Sequence, residues 1–171
     1  NQMNIERSLK RRGIPYQVMD SRSLMTEALS SDFYSLLQYM IYPEDKTAYT
    51  ALMKSPFVRL SDSGLLALSK GEEPDDEDRS RIARFEAFLS ELRESMYTLT
   101  LPSLIRKIYT DGGYRAYIEG TPSYRAFSEH FEYLHSFAVS YAERGASITE
   151  YIRFLRNSLG TYESTGEVSV L

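Results

Sequence analysis

The amino-acid sequence predicts a mainly α-helical fold, an irregular bundle of about eight helices with a short edge strand near each end of the chain. Apolar side chains recur at the spacing i, i+3, i+4, i+7 through most of the 171 residues. Gly, Pro and cap-forming Ser, Thr or Asp residues separate these stretches. A chain of this length can bury one substantial core and is too short for two ordinary domains.

The composition excludes several classes of protein. The longest apolar runs are far shorter than the roughly 20 residues that a membrane span needs. Cysteine is absent, which rules out a disulfide framework or a zinc-thiolate site. The first residues carry charges throughout and lack the apolar stretch of a secretory signal, so a cytoplasmic protein is expected. The net charge of -4 argues against a surface that attracts nucleic acid everywhere, but it allows a local basic patch.

The first elements are a short helix and a strand. The helix is expected to end near Arg12, because Gly13 provides a C-cap and Pro15 a stop. Residues 14–19 then predict a strand.

Two helices are predicted next. Ser31 is expected to cap the first, which ends before Pro43 and has an apolar stripe of Phe33, Leu36, Leu37, Met40 and Ile41. A second helix from Asp45 to about Lys54 must end before Pro56, since proline disfavours helical geometry at the preceding residue.

Ser61 is the predicted N-cap of a short helix, and an acidic connection follows it. Residues 71–78, GEEPDDED, combine one Gly, one Pro and six acidic residues. We expect this stretch to be exposed and to bury nothing. It lacks the alternating spacing, central Gly and distal Glu of a calcium loop.

A long helix is predicted next, and its apolar stripe is Ile82, Phe85, Leu89, Leu92 and Met96. Three further helices are predicted after it. One starts at Thr100 and buries Leu104, Ile105 and Ile108. Thr121 and Pro122 begin another, whose stripe is Tyr124, Phe127, Phe131, Leu134, Ala138 and Tyr141. Ser147 and Glu150 form the capping box of the last helix.

The final residues change their period, because Val168 and Val170 alternate with polar residues as in a strand. Two lone strands that bracket a helical bundle need partner strands. We therefore expect both to belong to a sheet that lies largely outside this chain, which would make the chain a piece of a larger protein.

No catalytic or metal constellation is found in the sequence. His130 and His135 are five residues apart on a predicted helix and point in different directions. Glu132 and His135 match one half of a di-iron motif that needs two copies, and a polar helix face explains them better. There is no P-loop and no G-x-S-x-G elbow. The fourteen tyrosines lie mostly on apolar stripes, so packing explains them better than base stacking.

Taken in order, the segments resemble the second motor half of UvrD/Rep-like superfamily 1 DNA helicases. Residues 4–18, NIERSLKRRGIPYQV, are similar to the helix and strand that follow helicase motif IV. Residues 30–68, 104–120 and 148–160 are similar to parts of the inserted helical subdomain called 2B, and the last residues, VSVL, to the strand entering motif V. The resemblance implies an edge of RecA-like domain 2A at 1–29, a 2B-like insertion at 30–162 and a return strand at 163–171.

Two departures favour one branch of the family. Residues 57–61, FVRLS, stand where the UvrD and Rep branch has a Gly-x-Gly hairpin, and residues 23–25, SLM, replace an aromatic pair. The S-P-F-x-x-L-S-D form looks more like AddA and RecB, bacterial recombination helicases in which the insertion also contacts partners.

The resemblance implies an accessory domain of an ATP-dependent DNA helicase, or of a helicase-nuclease, acting in DNA repair or recombination. ATP and Mg²⁺ would bind to the RecA-like motor domains of the same protein, and this chain would hold no cofactor and hydrolyse no ATP. A second subunit is a further expected partner, and a membrane is not.

The candidate DNA contacts are Lys54, Ser55, Arg59 and Ser61, since a cation and a helix N-terminus offer charge and free amides to phosphate. The alternative is a helical scaffold that binds another protein and does not touch DNA. A third hypothesis is that the chain is an unrelated helical regulator.

Overall fold

Eight helices follow one another along the part of the chain that the structure describes. The computed structural model describes the backbone of residues 14–170 and the side chains of residues 27–159. The helices are α1 (Ile14–Ile41), α2 (Lys46–Lys54), α3 (Asp62–Ser69), α4 (Asp76–Ser95), α5 (Leu101–Asp111), α6 (Tyr114–Glu119), α7 (Tyr124–Glu143) and α8 (Ile148–Val170). Residues 27–159 contain no strand. The mainly helical prediction is therefore confirmed for this range.

Side-chain caps begin five of these helices. Asp45, Ser61, Asp75, Thr100 and Ser147 each accept a hydrogen bond from the backbone N–H three residues further on, at 3.0, 3.0, 2.9, 3.3 and 3.3 Å. Such caps satisfy amides that have no partner inside the helix. The predicted helix starts near Asp45, Ser61, Thr100 and Ser147 are confirmed.

Ser31 is not an N-cap, contrary to the sequence prediction. Helix α1 runs through it, and Leu29 and Ser30 are already buried, with 0% and 5% of their surface exposed. Leu29 lies four residues before Phe33 and extends the same apolar stripe by one turn. The burial of Leu29 therefore outweighs the local cap signal of Ser31.

The acidic connection is shorter than predicted and one of its residues is buried. Helix α4 already begins at Asp76, and Asp78 is only 2% exposed. Its carboxylate accepts hydrogen bonds from the backbone N–H of Ser61, at 3.2 Å, and from the Ser61 hydroxyl, at 2.5 Å. A buried carboxylate is tolerated here because it is hydrogen-bonded.

The core contains a cluster of five rings, here called the aromatic centre: Phe33, Phe57, Tyr109, Tyr114 and Phe131. Phe33 of α1 lies 5.9 to 6.4 Å from the other four ring centroids. Tyr109 of α5 stacks on Phe131 of α7 at 4.0 Å. The five rings come from α1, α5, α6, α7 and the loop after α2, so the centre joins these elements.

Helix α6 is an element that the sequence analysis did not predict. Gly113, with φ of 83°, turns the chain out of α5 and into α6. The six residues of α6 bury Tyr114 and Ile118. The number of helices agrees with the prediction, but the first predicted helix, near residues 5–12, lies outside the described residues.

The two terminal strands were expected at residues 14–19 and 168–171. Both lie outside residues 27–159, the range whose side chains the structure describes, although α1 begins at Ile14 and α8 ends at Val170. The strands and the division into an insertion and two flanking pieces stay predictions.

Candidate nucleic-acid interface

The loop between α2 and α3 is closed by hydrogen bonds to Ser55. The Ser55 carbonyl accepts from the N–H groups of Val58, at 3.1 Å, and Arg59, at 2.8 Å. The Ser55 hydroxyl donates to the Leu52 carbonyl at 2.7 Å and accepts from the Phe57 N–H at 3.2 Å. Ser55 is buried, so this candidate contact organises the loop and does not present its hydroxyl to solvent.

Arg59 stands out in this loop because its φ is 58°. A left-handed conformation costs a non-glycine residue roughly 1–2 kcal/mol. The conformation is held by the Leu60 N–H, which donates to the Met53 carbonyl at 3.0 Å, and by the Arg81 guanidinium, which donates to the Arg59 carbonyl. The exposed Arg59 side chain lies over the Tyr117 ring, 5.3 Å from its centroid.

Two further arginines share a cleft with Arg59. The cleft has a volume of about 210 Å³, and its lining includes Arg59, Arg81 and Arg84, with Asp111 and Gly112 at the α5–α6 turn. We call it the arginine cleft. Arg81 and Arg84 are three residues apart on α4, which places them on one face of that helix. Their helical spacing was readable in the sequence, but their approach to Arg59 depends on how α4 packs beside the α2–α3 loop.

Two of the three arginines that line the arginine cleft have no ion pair in the described part of the chain. Arg81 pairs with Glu77 at 2.9 Å, and Asp111 pairs with Lys107 at 3.1 Å. Among the described residues, neither Arg59 nor Arg84 has a carboxylate within ion-pair distance. The cleft is therefore a local cationic site on a chain of net charge -4.

Lys54 and Ser61 occupy different environments on the two sides of this loop. Lys54 is the exposed last residue of α2, without an ion pair in the described part of the chain. Ser61 caps α3, but the buried Asp78 carboxylate already accepts from both its N–H and its hydroxyl. A negative charge at a helix N-terminus is favourable. Asp78 thus provides the anion that the sequence analysis assigned to a phosphate.

A serine–histidine pair lies elsewhere in the bundle. The Ser30 hydroxyl is 2.9 Å from Nε2 of His130, and burial lowers the pKa of His130 to about 4. Ser30 lies inside α1, where the neighbouring backbone N–H groups are used in the helix. No backbone donors remain there to stabilise an oxyanion. The pair therefore has the character of a packed polar contact between α1 and α7.

The residues considered as metal ligands have other partners. Glu132 accepts from Arg106 at 3.3 Å, and the His135 ring lies 5.8 Å from the Phe131 ring. Burial is the main cause that lowers the pKa of His135. No group of three or more potential ligands that could hold a metal ion is found among the described residues. Within the same residues, no helix has the length and apolar character needed to cross a bilayer.

Comparisons of the chain with models of known families, with curated proteins and with solved structures gave no significant match. The resemblance to superfamily 1 helicases therefore stays a prediction based on the order of its segments.

Proposed function

We propose that this chain is a 2B-like accessory domain of an ATP-dependent DNA helicase, or of a helicase-nuclease, that contacts duplex DNA and regulates unwinding. The observation that carries the proposal is the arginine cleft, in which Arg59, Arg81 and Arg84 converge beside the loop that the sequence analysis singled out. ATP and Mg²⁺ would bind to the motor domains of the whole protein.

The chemistry of the arginine cleft suits phosphate oxygens. Guanidinium groups donate planar, charge-assisted pairs of hydrogen bonds to phosphates. Arg81 is held by Glu77 and by the Arg59 carbonyl, and the Arg59 side chain rests on Tyr117. Less side-chain entropy is lost on binding when the donors are already positioned. Contacts of this type position a protein on DNA without reading its sequence.

The proposal is tested by titrating a labelled forked duplex at low salt. Replacing both Arg59 and Arg84 with Ala is expected to weaken binding by at least about tenfold, since a hydrogen bond to a charged group contributes about 1.5–3 kcal/mol. The slope of log Kobs against log salt is expected to fall by about 0.9 for each lost phosphate contact. Lys54→Ala is expected to give a smaller loss.

The matched control is Arg79→Ala. Arg79 is an exposed arginine on α4, the helix that also carries Arg84. It pairs with Glu73 and Asp76 and does not line the arginine cleft. Unchanged binding in the Arg59/Arg84 double variant, or an equal loss in Arg79→Ala, would refute the assignment.

The second candidate function is a protein-binding scaffold without DNA contact. It is favoured by an apolar groove of about 520 Å³ whose lining includes Tyr39, Tyr49, Met53, Leu65 and Leu68. Leu66 is 55% exposed on the neighbouring helix α3. In the same titration this function predicts no DNA binding at any salt concentration, together with a stable complex with a second subunit.

A further inference from the structure

A second cationic cleft lies between the end of α7 and the beginning of α8, and we call it the α7–α8 cleft. Its volume is about 420 Å³, and it is lined by Arg144, Arg153, Glu150, Asn157, Tyr141 and Phe154, among others. Neither arginine has a carboxylate within ion-pair distance among the described residues. Glu150 therefore leaves both guanidinium groups available to an external anion.

Arg144 is held in place by its backbone and by its side chain. The N–H of Gly145 donates to the Ala142 carbonyl at 3.0 Å, and the N–H of Ala146 donates to the Tyr141 carbonyl at 2.9 Å. These two bonds form a Schellman motif, for which Gly145 supplies the required positive φ of 72°. The guanidinium carbon of Arg144 lies over the Tyr141 ring, 4.5 Å from its centroid. Arg144 is therefore an exposed cation with a defined position.

We propose that the α7–α8 cleft binds the phosphodiester backbone of single-stranded nucleic acid, with Arg144 and Arg153 on the phosphates. This site is separate from the arginine cleft and does not depend on the helicase proposal. The two arginines come from different elements, the C-cap of α7 and the first turns of α8. Together they can contact the oxygens of successive phosphates along one nucleic-acid strand.

The arrangement of rings and guanidinium groups favours a nucleic acid over an acidic peptide. Tyr141 and Phe154 line the same cleft, with ring centroids 5.7 Å apart. Phe154 also stacks on Phe137 at 4.6 Å and Arg144 lies over Tyr141, so a base would stack on the surfaces that these two contacts leave open. Unpaired bases stack on aromatic rings and guanidinium planes, whereas a carboxylate uses only the charge and the hydrogen-bond donors of the arginines. In a duplex the bases are stacked on one another and are not offered to such a surface. A single strand therefore uses more of this site than a duplex does.

The test is the anisotropy of fluorescein-labelled oligothymidylate titrated with the full chain at low salt. Arg144→Ala and Arg153→Ala are each expected to weaken binding by about tenfold. Each is expected to reduce the salt slope by about 0.7. Arg156→Ala is the matched control, because Arg156 is an exposed arginine on α8 that does not line the cleft. Its affinity should stay within about a factor of two of the unmodified chain.

Three outcomes would overturn the proposal. The first is oligothymidylate binding that Arg144→Ala and Arg153→Ala leave unchanged. The second is an equal loss in Arg156→Ala, which would indicate a diffuse field. The third is that the chain does not bind oligothymidylate but binds polyglutamate tightly, which would indicate an acidic protein partner. The Arg59/Arg84 double variant should retain oligothymidylate binding while binding a blunt duplex, which has no single-stranded arms, more weakly, so each proposal can fail alone.

Discussion

The aromatic centre and the junction between α3 and α4 hold the bundle together by different means. In the centre, Phe33 and its four neighbouring rings are buried, and the contacts depend on shape and apolar area. At the junction, the single carboxylate of Asp78 accepts from Ser61 and lies directly against Gly64. Burial of apolar area tolerates small adjustments, whereas a buried carboxylate needs its specific donors.

The difference is one of redundancy. Each ring in the aromatic centre has several neighbours, so losing one leaves the others in contact. At the junction, the Asp78 carboxylate is the acceptor for both the N–H and the hydroxyl of Ser61. No other acidic residue in the described range accepts a hydrogen bond from Ser61. We expect the centre to respond to volume and the junction to respond to charge and to close approach.

The largest effect is expected from Phe33→Ala. The substitution leaves a cavity where four ring contacts meet, and such changes lower the free energy of unfolding by about 3–5 kcal/mol. Urea unfolding followed by circular dichroism would measure the loss. Tyr97→Ala is the control, because Tyr97 is 87% exposed and should change stability little. A loss below about 1 kcal/mol for Phe33→Ala would show that the centre is not the main core.

A smaller effect is expected from Gly64→Ala. A Cβ at this position would lie 2.2 Å from Oδ2 of Asp78 and 3.1 Å from Cγ of Leu60. The carboxylate is tied to Ser61 and cannot withdraw without losing its donors. A loss of about 1–3 kcal/mol is expected.

The double variant Gly64→Ala/Asp78→Ala decides the cause of that loss. Without the carboxylate the 2.2 Å contact is gone and only the 3.1 Å approach to Cγ of Leu60 remains, while alanine is about 1 kcal/mol more favourable than glycine within a helix. Gly64→Ala should therefore be neutral or stabilising in the Asp78→Ala background. Equal losses in both backgrounds would disprove the clash.

The smallest effect concerns a carboxyl group that lies beside the aromatic centre. Burial raises the pKa of Asp32 to about 6, although the Tyr114 hydroxyl, which donates to it at 2.7 Å, opposes the rise. The folded state therefore holds this proton more tightly than the unfolded chain does. Its contribution to stability is present below pH 3.8, the ordinary value, and is lost as pH rises to about 6.

The contribution of His130 to stability changes with pH in the opposite direction to that of Asp32, over nearly the same pH range. Its pKa is lowered to about 4 by burial, from an ordinary value of 6.5. Its contribution is present above pH 6.5 and is lost as pH falls to about 4. The two contributions partly cancel in the unmodified chain, because one is lost and the other is gained as pH rises over this range.

Single variants separate the two contributions. Between pH 4 and about 6, Asp32→Asn should make the free energy of unfolding rise more steeply with pH, and His130→Gln should make it fall more steeply, because each leaves the other group alone. Urea unfolding at several pH values measures both slopes. Identical slopes in all three proteins would contradict these pKa shifts.

The apolar stripes were predictable because helical periodicity is local. In α4, the predicted Phe85, Leu89 and Leu92 are all buried, as are Leu104, Ile105 and Ile108 of α5. The polar contacts were not predictable in this way. Ser61 and Asp78 are 17 residues apart, and Arg59 and Arg81 are 22 apart. No repeat in the sequence indicates which loop a helix will pack against.

The candidate interface shows the same division. The sequence indicated Lys54 and Arg59 as cations near a helix start, and both are exposed. It did not indicate Arg81 and Arg84 as companions of Arg59. It also assigned Ser55 and Ser61 to phosphate contacts, although Ser55 is buried and the Ser61 N–H donates to Asp78.

The sequence by itself determined the helical class, the starts of α2, α3, α5 and α8 and many of the buried apolar side chains, because propensity, capping and amphipathic spacing act over a few residues. The tertiary structure decided which charges meet. Long-range contacts brought Arg81 and Arg84 beside Arg59. They also placed the Asp78 carboxylate at the start of α3, because the free energy of a buried charge depends on the whole surroundings of that charge.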